Sequence, residues 1–424
     1  MRILLENFFY KKDYFILTPR VYSFGGSMQS LSKGLKISIS KNKKLIICVP
    51  LFNLHKKHKI KKLFTLDIIL EIFKKLSFKE KLLTLIFSLF LNFNYILQIV
   101  KIRGLLKKVI SVKFCDNYFP LTIGYDALDN NSYFECTSIE WKGILQTKIN
   151  FSFKDKTNLF NKKNFVALYI KDKNYDIVSE ISNKATAKII NFKESIDFLI
   201  NKNFDIIRTG DYLSEKFDYK SKNYLDITSS PDLSLKKQYK VFEKCEFILA
   251  TNTPSIAIAN FFDKKRVITN SPEQYSNNTA SFSLENFSIF KKVFCLKKKK
   301  ILSIEEILSN EYLFIEEISL FTDNKQYILI ENNNFEILET CKEFIDFNYN
   351  NIKKDNHLLN QYLDLRTFAV EKLFKKSSSL TKLSSIKKYR YSKVSIPSFF
   401  LKKYLFNSKT LEEESSIVRE KLGI

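Results

Sequence analysis

Short apolar runs separated by amphipathic segments fill the middle of this chain. Five of them lie between Asn164 and Pro272, and each ends in a polar or glycine-bearing turn: 165–175, 204–211, 223–230, 245–255 and 265–272. The intervening segments 192–203 and 235–244 each place apolar residues on one helical face. Near-continuous apolar strands that alternate with amphipathic helices predict a parallel sheet covered on both faces.

Polar residues follow these strands at the positions where each strand is expected to end. Parallel sheets bind ligands outside the carboxyl ends of their strands, so these residues are candidates for a binding site. They are Lys171, Asp172, Arg208, Thr209, Gly210, Asp211, Thr251, Asn252, Thr253, Asn270 and Ser271.

The segment Arg208 to Asp211 combines three types of residue that suit a diphosphate. Arginine at a strand end can clamp a diphosphate with two parallel hydrogen bonds. Gly210 permits close approach of the backbone, and Asp211 can orient the arginine or contact a ribose. A plain ion pair at the end of a strand is the alternative interpretation.

The segment Thr251 to Ser255 joins an apolar strand to an apolar helix. Hydroxyl groups and backbone amides at a helix start can bind an anion. An ordinary helix cap by Thr253 or Ser255, with Pro254 in the first turn, explains the same residues. Asp172, which follows the first strand, is a candidate general base or a turn residue.

The amino-terminal part repeats the strand and helix pattern around a glycine pair. Strands are predicted over 13–20 and 43–50, with a helix over 28–41 between them. Gly25 and Gly26 precede that helix, as in the opening of a nucleotide-binding half-domain, where they would let the backbone approach a ligand closely. They are also compatible with an ordinary turn.

Residues 54–110 are helical in pattern and strongly basic. The stretch 82–100 contains no charged residue and is long enough to span a membrane, but polar residues such as Thr84 and Ser88 argue against full immersion in lipid. The sequence leaves three alternatives for this helix, which are burial in the protein, a position on the membrane surface, and a true span.

The net charge of +25 in 424 residues favours an anionic membrane surface or a phosphate-bearing substrate. Zinc-finger spacing, an arginine-rich stripe and an aromatic RNA-binding signature are all missing from the sequence, which argues against nucleic acid as a partner.

Charges interrupt the first fifteen residues, so we expect no signal peptide and a cytoplasmic location. Six scattered cysteines without a CxxC pair indicate thiols in a reducing compartment.

With these residues in view, positions 139–345 resemble a family of bacterial glycosyltransferases encoded in surface-polysaccharide gene clusters. The resemblance rests on Lys171-Asp172 with Tyr175, the run 206–210, the segment 245–253, the triplet 270–272, and Glu331-Asn332 ahead of residues 335–337. This chain departs from the family pattern in three places, two of which are Lys171 in place of arginine and Pro254 in place of glycine. The arginine expected after Tyr175 is not evident either.

The resemblance implies a GT-B-like α/β architecture, in which two Rossmann-like domains face each other across a cleft. Residues 1–150 would form the acceptor domain, with basic, membrane-proximal helices at 54–110. Residues 151–345 would bind a nucleotide-sugar, and 346–424 would form a helical tail. The chain would transfer sugar to a cell-surface polysaccharide or lipid-linked acceptor, without a metal or other cofactor, at the inner face of the cytoplasmic membrane.

The pattern of strand ends and the resemblance together give expected roles to individual residues. Donor contacts would come from Lys171, Arg208, Gly210, Asp211, Thr251, Asn252, Thr253, Ser255, Asn270 and Glu331. The base would come from the amino-terminal domain or from the loop at Asp172, which is the candidate residue, and Gly25 and Gly26 would lie in an acceptor-side loop. A non-catalytic protein that binds a sugar nucleotide, or that scaffolds a polysaccharide assembly complex, is the alternative, and it would explain the departures from the family pattern.

Overall fold

The chain forms two compact units, Met1–Lys154 with Pro254–Asp263 and Asp155–Thr253 with Lys264–Ile424. The computed structural model describes residues 14–17, 44–47, 73, 77–86, 88–89, 164–172, 186–210, 214–228, 235–253, 259, 262, 264–272, 285–309, 326–352, 356–376 and 395–424. The helix predicted over 28–41 and the glycine pair lie outside these residues. The predicted domain boundaries and the cleft stay predictions.

The first unit contains two parallel strands, β1 (Tyr14–Leu17) and β2 (Lys44–Ile47), paired in register from Tyr14 opposite Lys44. Both lie inside the runs predicted as strands. Residues 78–86, 88 and 89 are helical. None of the helices among the described residues is both long and apolar enough to cross a membrane.

The second unit is built on a six-stranded parallel sheet. Its strands are β3 (Phe165–Tyr169), β4 (Asp205–Thr209), β5 (Tyr224–Asp226), β6 (Phe247–Thr251), β7 (Lys265–Ser271) and β8 (Phe287–Phe290). Their order across the sheet is β5-β4-β3-β6-β7-β8, and every neighbouring pair is parallel. The first five strands were predicted from the apolar runs, whereas β8 was not.

Helices cover both faces of this sheet, as the sequence predicted. They are α1 (Lys193–Asn201), which continues a 3₁₀ turn at Ile189–Phe192, and α2 (Leu235–Lys244). Leu199 of α1 belongs to the same buried cluster as Leu168 of β3. The next residue, Tyr169, points to the opposite face and packs its ring 5.9 Å from that of Phe242 in α2.

Among the described residues, the second unit also contains a smaller antiparallel sheet and five further helices. The strands of this sheet are β9 (Lys292–Cys295), β10 (Lys300–Ile301) and β11 (Tyr327–Ile330), in the order β10-β9-β11. The helices are α3 (Ile304–Ser309), α4 (Asn334–Tyr349), α5 (His357–Lys376), α6 (Ser398–Tyr404) and α7 (Lys409–Leu422). Phe294, Ile307, Leu359, Phe400 and Leu411 share a second buried core. The carboxy-terminal helices therefore pack into this unit, while Phe344 of α4 joins the core of the larger sheet.

Candidate functional site

The polar ends of the parallel strands meet at one edge of the large sheet. Tyr169 of β3 lies opposite both Thr209 of β4 and Ala250 of β6, and Thr251 of β6 lies opposite Thr269 of β7. Because all six strands run in the same direction, the residues that follow them are neighbours at this carboxyl edge. The structure thus brings together most of the residues that the sequence identified as candidates.

The strand order places a topological switch point between β3 and β6. From β3 the chain adds β4 and β5 on one side, then returns to add β6, β7 and β8 on the other. Connections on the two sides run in opposite directions, which leaves a crevice at the carboxyl ends of β3 and β6, where open sheets of this kind bind ligands. The sequence pattern alone could not locate this point.

Lys171 and Thr251 lie at the switch point itself. The Lys171 backbone N–H donates to Thr251 Oγ1 at 3.0 Å, which ties the ends of β3 and β6 together. The Lys171 side chain is buried, and this burial lowers its pKa from 10.5 to about 8. A lysine with this pKa is mostly protonated at neutral pH and loses its charge within the pH range of ordinary assays.

Asn252 links the ends of β6 and β7 on the other side of the switch point. Its backbone N–H donates to the carbonyl oxygen of Thr269 at 3.0 Å, and its Nδ2 donates to Ser271 Oγ at 2.8 Å. Thr253, the next candidate along the chain, is buried. Hydroxyl and amide groups at the ends of β6 and β7 therefore line this edge.

Arg208 lies inside the protein, between two carboxylates. Its Nη1 is 2.9 Å from Asp226 Oδ2, its Nη2 is 3.5 Å from Asp172 Oδ2, and its side chain is fully buried. Asp226 is the direct neighbour of Arg208 in the pairing of β4 with β5. A buried guanidinium is stable only with such partners, so this cluster joins the carboxyl ends of β3, β4 and β5.

Both carboxylates accept further hydrogen bonds. Asp172 Oδ2 accepts the Glu215 backbone N–H at 2.5 Å, and Asp226 Oδ1 accepts the backbone N–H and the hydroxyl of Thr228 at 2.9 and 2.6 Å. Direct contact of Arg208 with a diphosphate, or proton abstraction by Asp172, requires this cluster to open. The geometry supports a holding role for both residues, and their predicted ligand and base roles stay predictions.

Gly210 packs closely against the loop after β4. A Cβ atom at this position would lie 3.0 Å from Ser214 Oγ and 3.4 Å from Thr228 Cγ2. The absence of a side chain at Gly210 therefore allows close packing against Ser214 and Thr228 within the protein. Gly25, Gly26, Asp211 and Ser255 lie outside the described residues.

Asn270 at the end of β7 has a left-handed backbone conformation, with φ of 54°. Asn332, just before α4, fixes this conformation through hydrogen bonds with both the backbone and the side chain of Asn270. Asn332 Nδ2 also donates to the Phe290 carbonyl oxygen at 2.8 Å. The neighbouring candidate Glu331 accepts the Lys188 backbone N–H through Oε2 at 3.1 Å and is only partly buried. It therefore anchors the segment that leads into α1.

A network of buried charges lies next to Asn332, and the sequence pattern did not predict it. Glu336 is fully buried and forms a capping box with Asn333, and its Oε1 lies 2.7 Å from Lys292 Nζ on β9. The Tyr404 hydroxyl of α6 donates to the same carboxylate. Glu414 of α7 lies 3.3 Å from Lys292 Nζ and also pairs with Lys403. The Asn-x-x-Glu spacing at 333–336 is a capping-box signal that could have located the centre of this network.

Known proteins show only low similarity to this chain. No protein-family model and no curated protein matches this sequence. Among solved structures the chain is similar to E. coli heptosyltransferase WaaC with ADP, at 11% identity and a TM-score of 0.31, over 65% of this chain and 90% of that chain. It is also similar to E. coli ADP-heptose lps heptosyltransferase II, at 10% identity and a TM-score of 0.30, over 66% and 90% of the two chains. Similarity at this level does not define a shared function.

Proposed function

We propose that this chain is a glycosyltransferase that moves a sugar from a nucleotide-sugar donor to a cell-surface polysaccharide or lipid-linked acceptor. The observation that carries the proposal is the position of Lys171 and Thr251 at the switch point between β3 and β6. The resemblance of the strand-end motifs to surface-polysaccharide glycosyltransferases supports it. In this proposal the donor's diphosphate binds at the carboxyl edge of β3, β6 and β7.

Each group at this edge has a use in binding and releasing a diphosphate. The Lys171 ammonium supplies positive charge from a buried side chain, where a charge acts more strongly than at the surface. The amide of Asn252 and the hydroxyl of Ser271 lie on the neighbouring strand ends and add hydrogen-bond donors. Preorganised charge and donors stabilise the negative charge that develops on the departing nucleoside diphosphate.

In this proposal Arg208, Asp172 and Asp226 hold the strand ends in place and do not contact the donor. Since Arg208 joins the ends of β3, β4 and β5 through Asp172 and Asp226, it fixes the position of the segment that carries Lys171. We propose that the acceptor hydroxyl is activated by a group outside this cluster. Asp172 would then be a positioning residue, because its carboxylate is already bonded to Arg208 and to Glu215.

A second function is favoured by one specific observation. Asp172, which the sequence selected as the candidate base, is buried and engaged by other groups. A non-catalytic protein that binds a sugar nucleotide within a polysaccharide assembly complex needs the edge at β3 and β6 but no base. The two functions predict the same donor binding and differ in turnover.

A panel of nucleoside diphosphates and nucleotide-sugars tests the proposal by thermal stabilisation and by calorimetric titration of the full chain. For a ligand that binds the parent, Lys171→Met should weaken affinity about tenfold or more, since a charge-assisted contact contributes about 1.5–3 kcal/mol. Lys202→Met is the matched control, because Lys202 is exposed and follows α1 at the opposite edge of the sheet. Donor turnover in the presence of acceptor extracts separates the transferase from the binding protein.

Two results would count against a site at this edge. One is that no nucleoside diphosphate or nucleotide-sugar binds the parent chain. The other is that Lys171→Met and Lys202→Met bind equally well. Binding without turnover would favour the non-catalytic protein.

A further inference from the structure

Two polar side chains of the helical residues 78–86, 88 and 89 of the first unit, those of Thr84 and Ser88, are turned inward. The hydroxyl of Thr84 accepts the Ile47 backbone N–H at 3.2 Å, and Ser88 Oγ donates to the Ile47 carbonyl oxygen at 3.3 Å. Both side chains are buried against the end of β2. Thr84 and Ser88, two of the polar residues that argued against lipid in the sequence, therefore lie on the inner face of this helix.

Large apolar side chains of the same helix face solvent instead. Exposure is 82% for Phe78, 48% for Leu82, 55% for Leu85 and 68% for Leu89. With 3.6 residues per turn, these four positions fall within about 60° of one another around the helix axis. We call Phe78, Leu82, Leu85 and Leu89 the apolar stripe.

Lysines flank the apolar stripe. On the same helical projection, Lys79 lies on one side of the stripe and Lys81 on the other, whereas Glu80 lies on the far side of the helix. Lys79 is exposed and Lys81 is partly exposed. The basic segment 55–81, which ends in this helix, contains nine lysines and three acidic residues.

We infer that the apolar stripe docks this chain on an anionic lipid bilayer. A helix with an exposed apolar face bordered by lysines suits the boundary between acyl chains and headgroups. The stripe would enter that boundary, and the lysines would contact acidic headgroups. Covering four large apolar side chains removes them from water, which is favourable in itself. The inference does not depend on the proposed transferase activity.

Vesicle sedimentation with the full chain tests the inference. The parent should bind vesicles of equal parts phosphatidylcholine and phosphatidylglycerol, and should bind pure phosphatidylcholine vesicles much more weakly. The double variant Phe78→Ser, Leu89→Ser should lose about tenfold or more of this binding, since burial of each large apolar side chain contributes about 1.5–3 kcal/mol. Phe368→Ser is the matched control, because Phe368 of α5 is 65% exposed in the second unit.

A second measurement separates docking from a loss of folding. Both variants should melt at the parental temperature, since the replaced side chains are exposed. For the parent, high salt should weaken binding to the mixed vesicles by screening the lysines. Equal binding of the double variant and the parent would overturn the inference, as would equal binding to both kinds of vesicle. A parental dimer that the double variant dissociates, with vesicle binding unchanged, would show that a second copy covers the stripe.

Discussion

Asn270 and Asn332 hold each other through two reciprocal hydrogen bonds. The Asn270 backbone N–H donates to Asn332 Oδ1 at 2.7 Å, and the Asn332 backbone N–H donates to Asn270 Oδ1 at 2.9 Å. Both residues are fully buried. The pair fixes a left-handed residue at the carboxyl end of β7, so the start of α4 determines the shape of the edge beside Ser271.

Asn332→Ala should lower the free energy of unfolding by about 3 kcal/mol. It removes the acceptor of the Asn270 backbone N–H and the donor to the Phe290 carbonyl oxygen. A buried group that loses its partner costs about 1–3 kcal/mol. Urea denaturation measures the change. Asn334→Ala, which removes one exposed contact to Glu194, should stay within about 0.5 kcal/mol of the parent. Equal stabilities of the two variants would contradict the prediction.

Arg208→Met should destabilise the fold by about 3–5 kcal/mol, since it leaves the Asp172 and Asp226 carboxylates without their shared cation. The sequence analysis places this arginine among the expected donor contacts, whereas its buried position between two carboxylates predicts a loss of stability. Arg419→Met, at the exposed pair with Glu412, should cost about 0–1 kcal/mol. A stable Arg208→Met protein that fails to bind nucleotide would restore the donor-binding role.

Lys171 should give ligand binding and folding stability opposite dependences on pH. Burial lowers its pKa to about 8, so a ligand that uses its charge should bind more weakly as the pH rises through 8. The unfolded chain keeps this proton up to about 10.5, so it binds more protons than the native state over that interval and stability rises with pH. Titrations and urea denaturation at several pH values measure the two slopes. Lys171→Met should remove both contributions and Lys202→Met neither.

Glu414 should contribute stability that is lost in acid. Burial by itself raises the pKa of Glu414, but the charge of Lys292 and the hydrogen bonds from Lys403 and Tyr404 outweigh it, so the pKa lies below 4.5. The contribution is therefore complete above pH 4.5, the value for the unfolded chain, and disappears as the pH falls through the lower folded value. Urea denaturation should show a deficit for Glu414→Gln that shrinks in this acidic range.

A matched control exists for this prediction on the same helix. Glu412 pairs with Arg419 at the surface, and its side chain is largely exposed. Glu412→Gln should therefore have nearly the parental stability at each pH. A deficit for Glu414→Gln that stays constant down to strong acid would show that the carboxylate charge is not what stabilises the network.

The sequence predicted most of the large sheet, because buried parallel strands are near-continuous apolar runs. Strands β3, β4, β6 and β7 lie inside such runs, and α1 and α2 lie where the helical pattern placed them. Strand β8 was missed, since Phe287–Phe290 is short and contains a serine that interrupts the apolar pattern. The four residues of β8 show no clear strand pattern of their own. Strand β8 is recognised only through its pairing with β7.

Local sequence determined which residues end each strand, and hence that Lys171, Thr251 and Asn270 would lie at a polar edge. Tertiary structure alone decided the order of the strands, which places the switch point between β3 and β6. It also decided that Arg208 is enclosed by Asp172 and Asp226, which are 36 and 18 residues away along the chain. The hydrophobic pattern reports whether a side chain is buried or exposed. Pairing between distant segments depends on packing of the whole chain, which no local window of sequence contains.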